Sequence, residues 1–165
     1  MSYRPRYETQ ADRDNELVVQ KQIEAWAKCT LKKTPAQHYL DFEITREGVC
    51  VALAEFKKRS NPRRQYPTYM VAKKKIDRGI ALAKAEGVPY IFFVQWTDGL
   101  HFLVINEDTP MTSGTGGRTD RGDAFDIEQM AYFDTSLFKK IPSPPPRRKS
   151  PPCEGFLVSV GKYNA

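Results

Sequence analysis

Two short β-rich segments, residues 39–45 and 49–57, lie three residues apart, and this pair constrains the fold more than anything else in the chain. Between them stand Arg46, Glu47 and Gly48. A three-residue connection with glycine in the left-handed position joins antiparallel neighbours. Alternation then sets what each strand shows to each side. Glu55 and Lys57 share a face and Phe56 takes the other. With all three residues in the loop, Thr45 is expected opposite Val49 and Asp41 opposite Leu53. Asp41 then lies diagonally across from Glu55, roughly 7–8 Å away at the backbone. A loop one residue shorter would turn Asp41 to the other side.

The residues around this trio are apolar. Phe42, Ile44, Cys50, Ala52, Ala54 and Phe56 are expected to build the opposite face. An acid and a lysine at the end of such a strand cost free energy unless they are paired or bound to metal. Two carboxylates converging from neighbouring strands suit a hard cation, Mg²⁺ or Mn²⁺. The expected ligands are Asp41, Glu55 and the backbone carbonyl of Phe56. Such an ion polarises a phosphate and lowers the pKa of bound water. Lys57 is expected to orient or help deprotonate that water and to offset charge building on the phosphate.

The rest of the chain frames this hairpin. Residues 12–29 read as a helix with Val19, Ile23, Trp26 and Ala27 on an apolar stripe. Residues 68–86 read as a second helix, preceded by Pro67 and followed by Gly87. A second hairpin is expected over residues 89–96 and 100–106, around Thr97, Asp98 and Gly99. Residues 110–122 read as a mobile loop, with one short strand near residues 130–133. The order helix, hairpin, helix, hairpin predicts an α/β fold: a mixed central sheet flanked by helices, the second helix crossing over between strands. Residues 1–141 form the expected domain. Residues 142–165 form a Pro-rich basic tail, whose stretch 142–152 holds six prolines and three basic residues. A last strand is expected at residues 155–160.

Charge points to a polyanionic partner. Lys plus Arg number 26 against 20 Asp plus Glu, a net +6. Placement matters more than the total. Lys57, Lys58, Arg59, Arg63 and Arg64 fall within eight positions, and Lys73, Lys74, Lys75 and Arg78 follow. Such a cluster suits salt-sensitive binding of nucleic-acid phosphates. Arg147, Arg148 and Lys149 of the tail could track the same backbone. No run of apolar residues is long enough to span a bilayer. The polar first residues lack a secretion signal. Three cysteines offer no metal-binding pair, and Cys29 and Cys50 read as small buried residues. A cytoplasmic location is expected, that of the host if the protein is viral.

Asp41 with Glu55-Phe56-Lys57 resembles the PD-(D/E)XK nuclease superfamily of restriction enzymes, Holliday-junction resolvases and lambda-type exonucleases. Leu40 stands where the proline of that pattern would be. Residues 40–103 also look like small phage-type nucleases, and Gln65 with Tyr69 fits the Q-x-x-x-Y pattern of the RecB-like branch. The resemblance implies a restriction-endonuclease-like fold and a Mg²⁺-dependent DNA endonuclease leaving 5′-phosphates, with branched DNA among its candidate substrates. It implies DNA contacts at Lys58, Arg59, Arg63, Arg64, Gln65, Tyr69 and Lys73. Because many relatives are dimers, it allows a homodimer. A glutamate from the first helix often joins such sites. Glu16, in line with Val19 and Ile23, is preferred here over Glu24, which lies about 80° round the helix.

Two other readings compete. A non-catalytic nucleic-acid-binding module could share the scaffold, although carboxylates beside a basic groove repel phosphate unless a cation intervenes. An interaction protein could use the basic tail against an acidic partner. Gln95 is a candidate to point into the site, whereas His38 and His101 read as local structural residues.

Overall fold

The structure, a computed structural model, describes residues 9–35, 40–117 and 127–143. Its first element, α1 (Gln10–Ala27), starts two residues earlier than expected because Thr9 and Asp12 form a capping box. The Thr9 hydroxyl accepts from the Asp12 amide, and the Asp12 carboxylate accepts from the Thr9 amide. These bonds satisfy donors that a helix start leaves open. Lys28, at φ 50°, turns the chain out of the helix. Val19 and Ile23 are buried as the stripe requires, while Trp26 stays 41% exposed and leans on the Phe102 ring.

Nine strands follow: β1 (Thr30–Lys33), β2 (Phe42–Arg46), β3 (Val49–Lys58), β4 (Thr68–Ala72), β5 (Tyr90–Trp96), β6 (Gly99–Ile105), β7 (Thr112–Gly117), β8 (Ile127–Asp134) and β9 (Lys139–Lys140). The second helix, α2 (Lys73–Glu86), lies between β4 and β5. The main sheet runs β1-β2-β3-β5-β6-β9. Only β3 and β5 are parallel, which makes it a mixed sheet with β4 and α2 in the crossover between them. Strands β4, β8 and β7 form a second, antiparallel sheet.

Alternation sorts the main sheet into two faces. Phe42, Ile44, Ala52, Ala54 and Phe93 pack with Val19 and Ile23 of α1. Leu53, Phe92 and Val94 pack with Ile76 and Ala83 of α2 and with Tyr69, Val71 and Phe133 of the small sheet. The molecule is thus layered as helix, large sheet, then helix with small sheet.

Both hairpins have two-residue loops. Trp96 pairs with Gly99 around Thr97 and Asp98. Arg46 pairs with Val49, and the left-handed pair Glu47 (φ 50°) and Gly48 (φ 77°) makes the turn. Two consecutive positive φ values are what a type I′ hairpin needs. The first loop is therefore one residue shorter than expected, yet Asp41 does not change face. The pairing steps from Thr45–Cys50 to Ile44–Ala52, leaving Val51 as an extra residue. A bulge of this kind re-aims everything beyond it. It restores the parity that the shorter loop removes, and it also sends Cys50 to the α2 side. Cys29 and Cys50 are half-buried rather than buried.

Other expectations change. Residues 68–72 are strand, not helix, and α2 begins at Lys73. The pattern of burial at Tyr69 and Val71 has the period of a strand. Residues 112–117, expected as loop, form β7 because they pair with β8 along its length. The strand expected near residues 130–133 extends over the whole of β8. His38, Arg118, the basic tail residues Arg147, Arg148 and Lys149, and the expected strand at 155–160 lie outside the described residues.

Gly79 of α2 faces the ring of Tyr90, which is 1% exposed. A methyl group at Gly79 would sit 2.5 Å from Tyr90 Cε1 and Cζ. Gly79→Ala should therefore destabilise the protein by about 1–3 kcal/mol through overpacking, overriding alanine's helix preference of about 1 kcal/mol. Urea denaturation measures this directly.

Candidate active site

Asp41 sits one residue before β2 and continues its pairing. Its amide donates to the Ala54 carbonyl at 3.1 Å. Since Phe42 is paired with that same Ala54, the pairing slips by one residue at Asp41, whose carboxylate lies close enough to Glu55 to act on it electrostatically. The register of β2 is thus two residues from the expected one. The Asp41 Oδ2 atom accepts from the Phe56 amide at 2.9 Å, which ties this carboxylate to the backbone between Glu55 and Lys57.

Glu55 is completely buried. Its Oε1 atom meets two ammonium groups, Lys57 at 2.8 Å and Lys75 from the first turn of α2. Its Oε2 atom receives no hydrogen bond from any described residue. Burial pushes the Glu55 pKa up, Lys57 and Lys75 pull it down, and neighbouring Asp41 pushes it up again, so it stays above the ordinary glutamate value. Burial alone would lower the pKa of Lys57. Glu55 and Asp41 outweigh that effect and hold it above the ordinary lysine value. In this arrangement Lys57 is a charged donor beside Glu55.

Two buried phenols complete the surroundings. Burial pushes Tyr69 up to about 12, against the pull of Arg59 and Lys57. Tyr90 is raised further, first by burial and then by Glu55 and Asp41. Neither hydroxyl has a hydrogen-bond partner among the described residues. The orphaned Glu55 oxygen, the nearby Asp41 carboxylate and the Phe56 carbonyl make an all-oxygen donor set. Mg²⁺ typically takes one or two carboxylates and keeps several waters. The set fits such an ion, and no described group of three or more acidic, histidine or cysteine side chains offers a fuller cage.

Other anticipated residues lie elsewhere. Glu16 pairs with Lys33 at 2.8 Å in the α1 layer, and the structure does not bring it to Glu55. Glu24 accepts from the Leu31 amide at 2.9 Å and pins the turn into β1. Lys58 alternates onto the α1 side and is exposed. Gln95 also faces α1, accepting from Asn15 at 2.8 Å. Arg64 and Gln65 are exposed in a short 3-10 turn, where Gln65 donates to the Tyr66 hydroxyl at 3.3 Å. Tyr69, expected at the DNA, is a core residue with 4% exposure. Lys73 is held by Asp77 at 2.7 Å. Arg59 and Arg63 are half-buried at the end of β3 and in the turn that follows. His101 is buried with its ring edge-on to Trp96, and burial pulls its pKa down.

Lys75 is the residue that sequence reasoning missed. Its signal was available: Lys75, Gly79 and Ala83 recur every four positions, and Gly79 and Ala83 are buried. A lysine in line with a buried helical stripe needs a partner.

Residues 2–141 match a family described as "Phage putative PDDEXK endonuclease". The chain belongs to this family. No curated protein matches it. Among solved structures, the Holliday junction resolvase Hjc of Archaeoglobus fulgidus is similar at 12% identity and a TM-score of 0.47, covering 77% of this chain and 95% of that one. In this PD-(D/E)XK chain the proline of the family name is replaced by Leu40, a core residue only 2% exposed. Burial therefore fixes the residue before Asp41 where proline would fix it by its ring.

A carboxyl with a raised pKa favours the fold while protonated. That contribution is lost as pH rises from the ordinary value near 4.5 through the raised one. With divalent cations chelated, the stability of the parent relative to Glu55→Gln should fall as pH rises from near 4.5 through the raised pKa. Urea midpoints across that range test the sign, and a parent that gains on the variant instead would show that the two lysines dominate.

Proposed function

We propose that this chain is a Mg²⁺-dependent DNA endonuclease whose site is Asp41, Glu55 and Lys57. One observation carries the reading: in a chain of this family, a wholly buried glutamate lies near a second carboxylate, keeps one oxygen without a donor, and has a lysine beside the other. Asp41, Glu55 and the Phe56 carbonyl would hold the ion, which supplies charge for the phosphate and an acidified water. Mn²⁺ satisfies the same donors.

The protein groups then have distinct tasks. A bound cation would offset part of the cost of burying Glu55. Lys57, beside Glu55, would offer charged donors to the oxygen where negative charge builds. Lys75 keeps its hold on Glu55 from α2 and fixes the rotamer. Asp41 is aimed by the Phe56 amide. Positive charge for the DNA backbone comes from Lys58, Arg59, Arg63 and Arg64, which have no ion pair with a described carboxylate. Lys73, Lys74 and Lys84 are each neutralised by an acid. Two copies of the chain would be needed to cut both strands of a duplex from one site each.

Supercoiled, linear, single-stranded and branched DNA incubated with Mg²⁺ or Mn²⁺ form the test. The parent should cut at least one of them, and Lys57→Ala should be slower by about 10²–10³-fold. Binding by both proteins with cleavage by neither would instead support a binding module. In a separate measurement, Mg²⁺ should raise the thermal midpoint of the parent and leave Glu55→Gln unmoved, since only a folded state that binds the ion is stabilised by it.

A further inference from the structure

Beyond Lys57 the chain builds a second feature. A cavity of about 510 Å³ opens between the ends of β3 and β5 and the start of β4. That size is within the range of ligand pockets, about 300–1,000 Å³. Arg59, Asn61 and Arg63 line one side, and Tyr66, Tyr69 and Trp96 supply aromatic walls. No aspartate or glutamate lines it.

Its cations are fixed by neighbouring groups. Arg59 stacks 4.7 Å above the Tyr69 ring and donates to the Met70 carbonyl at 3.3 Å. Arg63 donates to the Thr135 carbonyl at 2.7 Å, and its amide is held by Asp98 at 3.0 Å. A guanidinium has five N–H donors, so each keeps several for an incoming group. Neither is ion-paired with a described carboxylate. Tyr66, by contrast, is 57% exposed at the rim.

The position relative to Glu55 is set by alternation. The Arg59 amide donates to the Gln95 carbonyl at 2.8 Å, so the extended pairing of β3 with β5 continues through it. Glu55, Lys57 and Arg59 therefore follow one another on one face, each step about 7 Å. A stacked strand advances about 3.4 Å per nucleotide. Arg59, at the near side of the cavity, thus lies about 14 Å from Glu55 along β3, about four stacked nucleotides from a phosphate held at Asp41 and Glu55.

We infer that this cavity receives one unpaired nucleotide of the DNA strand, about four nucleotides from the scissile phosphate. Arg59 and Arg63 take its phosphate, and Tyr66 stacks on its base. A base still paired in a duplex cannot enter a pocket of this kind without leaving the stack. The substrate class is therefore DNA with an unpaired nucleotide a few positions from the cut, in a single strand, a flap or a branch point. This inference rests on the nuclease reading for the position of the cut, though not for the binding itself.

Fluorescence anisotropy in EDTA separates the two. The probes are a labelled single-stranded oligonucleotide and its blunt duplex. The parent should bind the single strand more tightly. Tyr66→Ala should raise the single-strand Kd by about 5–100-fold, the range expected for one lost base stack, and change the duplex Kd by less than about twofold. Tyr66→Phe and Tyr66→Trp should retain parent affinity. Thermal midpoints of all variants should match, since the side chain is exposed. Equal loss on both probes, or no loss on either, overturns the pocket. The pocket stands without the nuclease if the preference and its Tyr66 dependence are found but the parent cuts nothing with Mg²⁺. The nuclease stands without the pocket if the parent cuts and neither preference nor dependence is found.

Discussion

The carboxyl group of Glu55, whose charged form two lysines meet between a sheet and a helix, sets the terms for the residues around it. Taking such a charge out of water costs on the order of several kcal/mol. Two lysines on one oxygen offset part of that cost, and the amide-anchored Asp41 nearby adds to it. Lys57 comes from the same strand and Lys75 from α2, so the ion pairs also lock the helix to the sheet. The parallel pairing of β3 with β5 and the crossover through β4 and α2 are what deliver Lys75 to that spot. Tyr69 and Tyr90, both neutral and buried, close the remaining sides. The arrangement is electrostatically incomplete around Glu55 Oε2, and that incompleteness is the chemical argument for a cation.

Much of the frame was legible because it follows simple periods. Alternation in residues 49–57 gave β3 and its two faces. The four-residue spacing of Val19 and Ile23 gave α1 and the side it buries. Glu55 and Lys57 stood out as polar residues on an apolar strand. What escaped needed longer-range information. Thr68–Ala72 lies beside a strong helical pattern, and only its partner β8, some sixty residues away, makes it a strand. The Gly-rich β7 has little strand preference of its own and exists by pairing. Tyr69 fitted a short motif, but its ring is needed by Phe92, Trp96 and Phe138 in the core.

The basic residues teach a related point. Counting lysines and arginines along the sequence placed equal weight on Lys73 and Arg63. In the folded chain their surroundings differ. Lys73 is balanced by Asp77 one turn along the helix, whereas the Arg63 guanidinium is anchored by the Thr135 carbonyl and faces a cavity with no acid among its described lining residues. Net charge is a property of the chain, but available charge is a property of the fold. The second is what a polyanion encounters at short range.

The extra residue at Val51 has an evolutionary consequence. In a two-faced hairpin, adding or removing one residue inverts every side chain beyond the change. Here a short turn and a bulge cancel each other, so the interval from Asp41 to Glu55 is a sum of two compensating irregularities. Descendants can lengthen the turn if they lose the bulge, or gain two residues at once, and still aim both acids the same way. Single insertions without such a counterpart would be purged. Spacing between these acids should therefore drift among relatives in coupled or even-numbered steps.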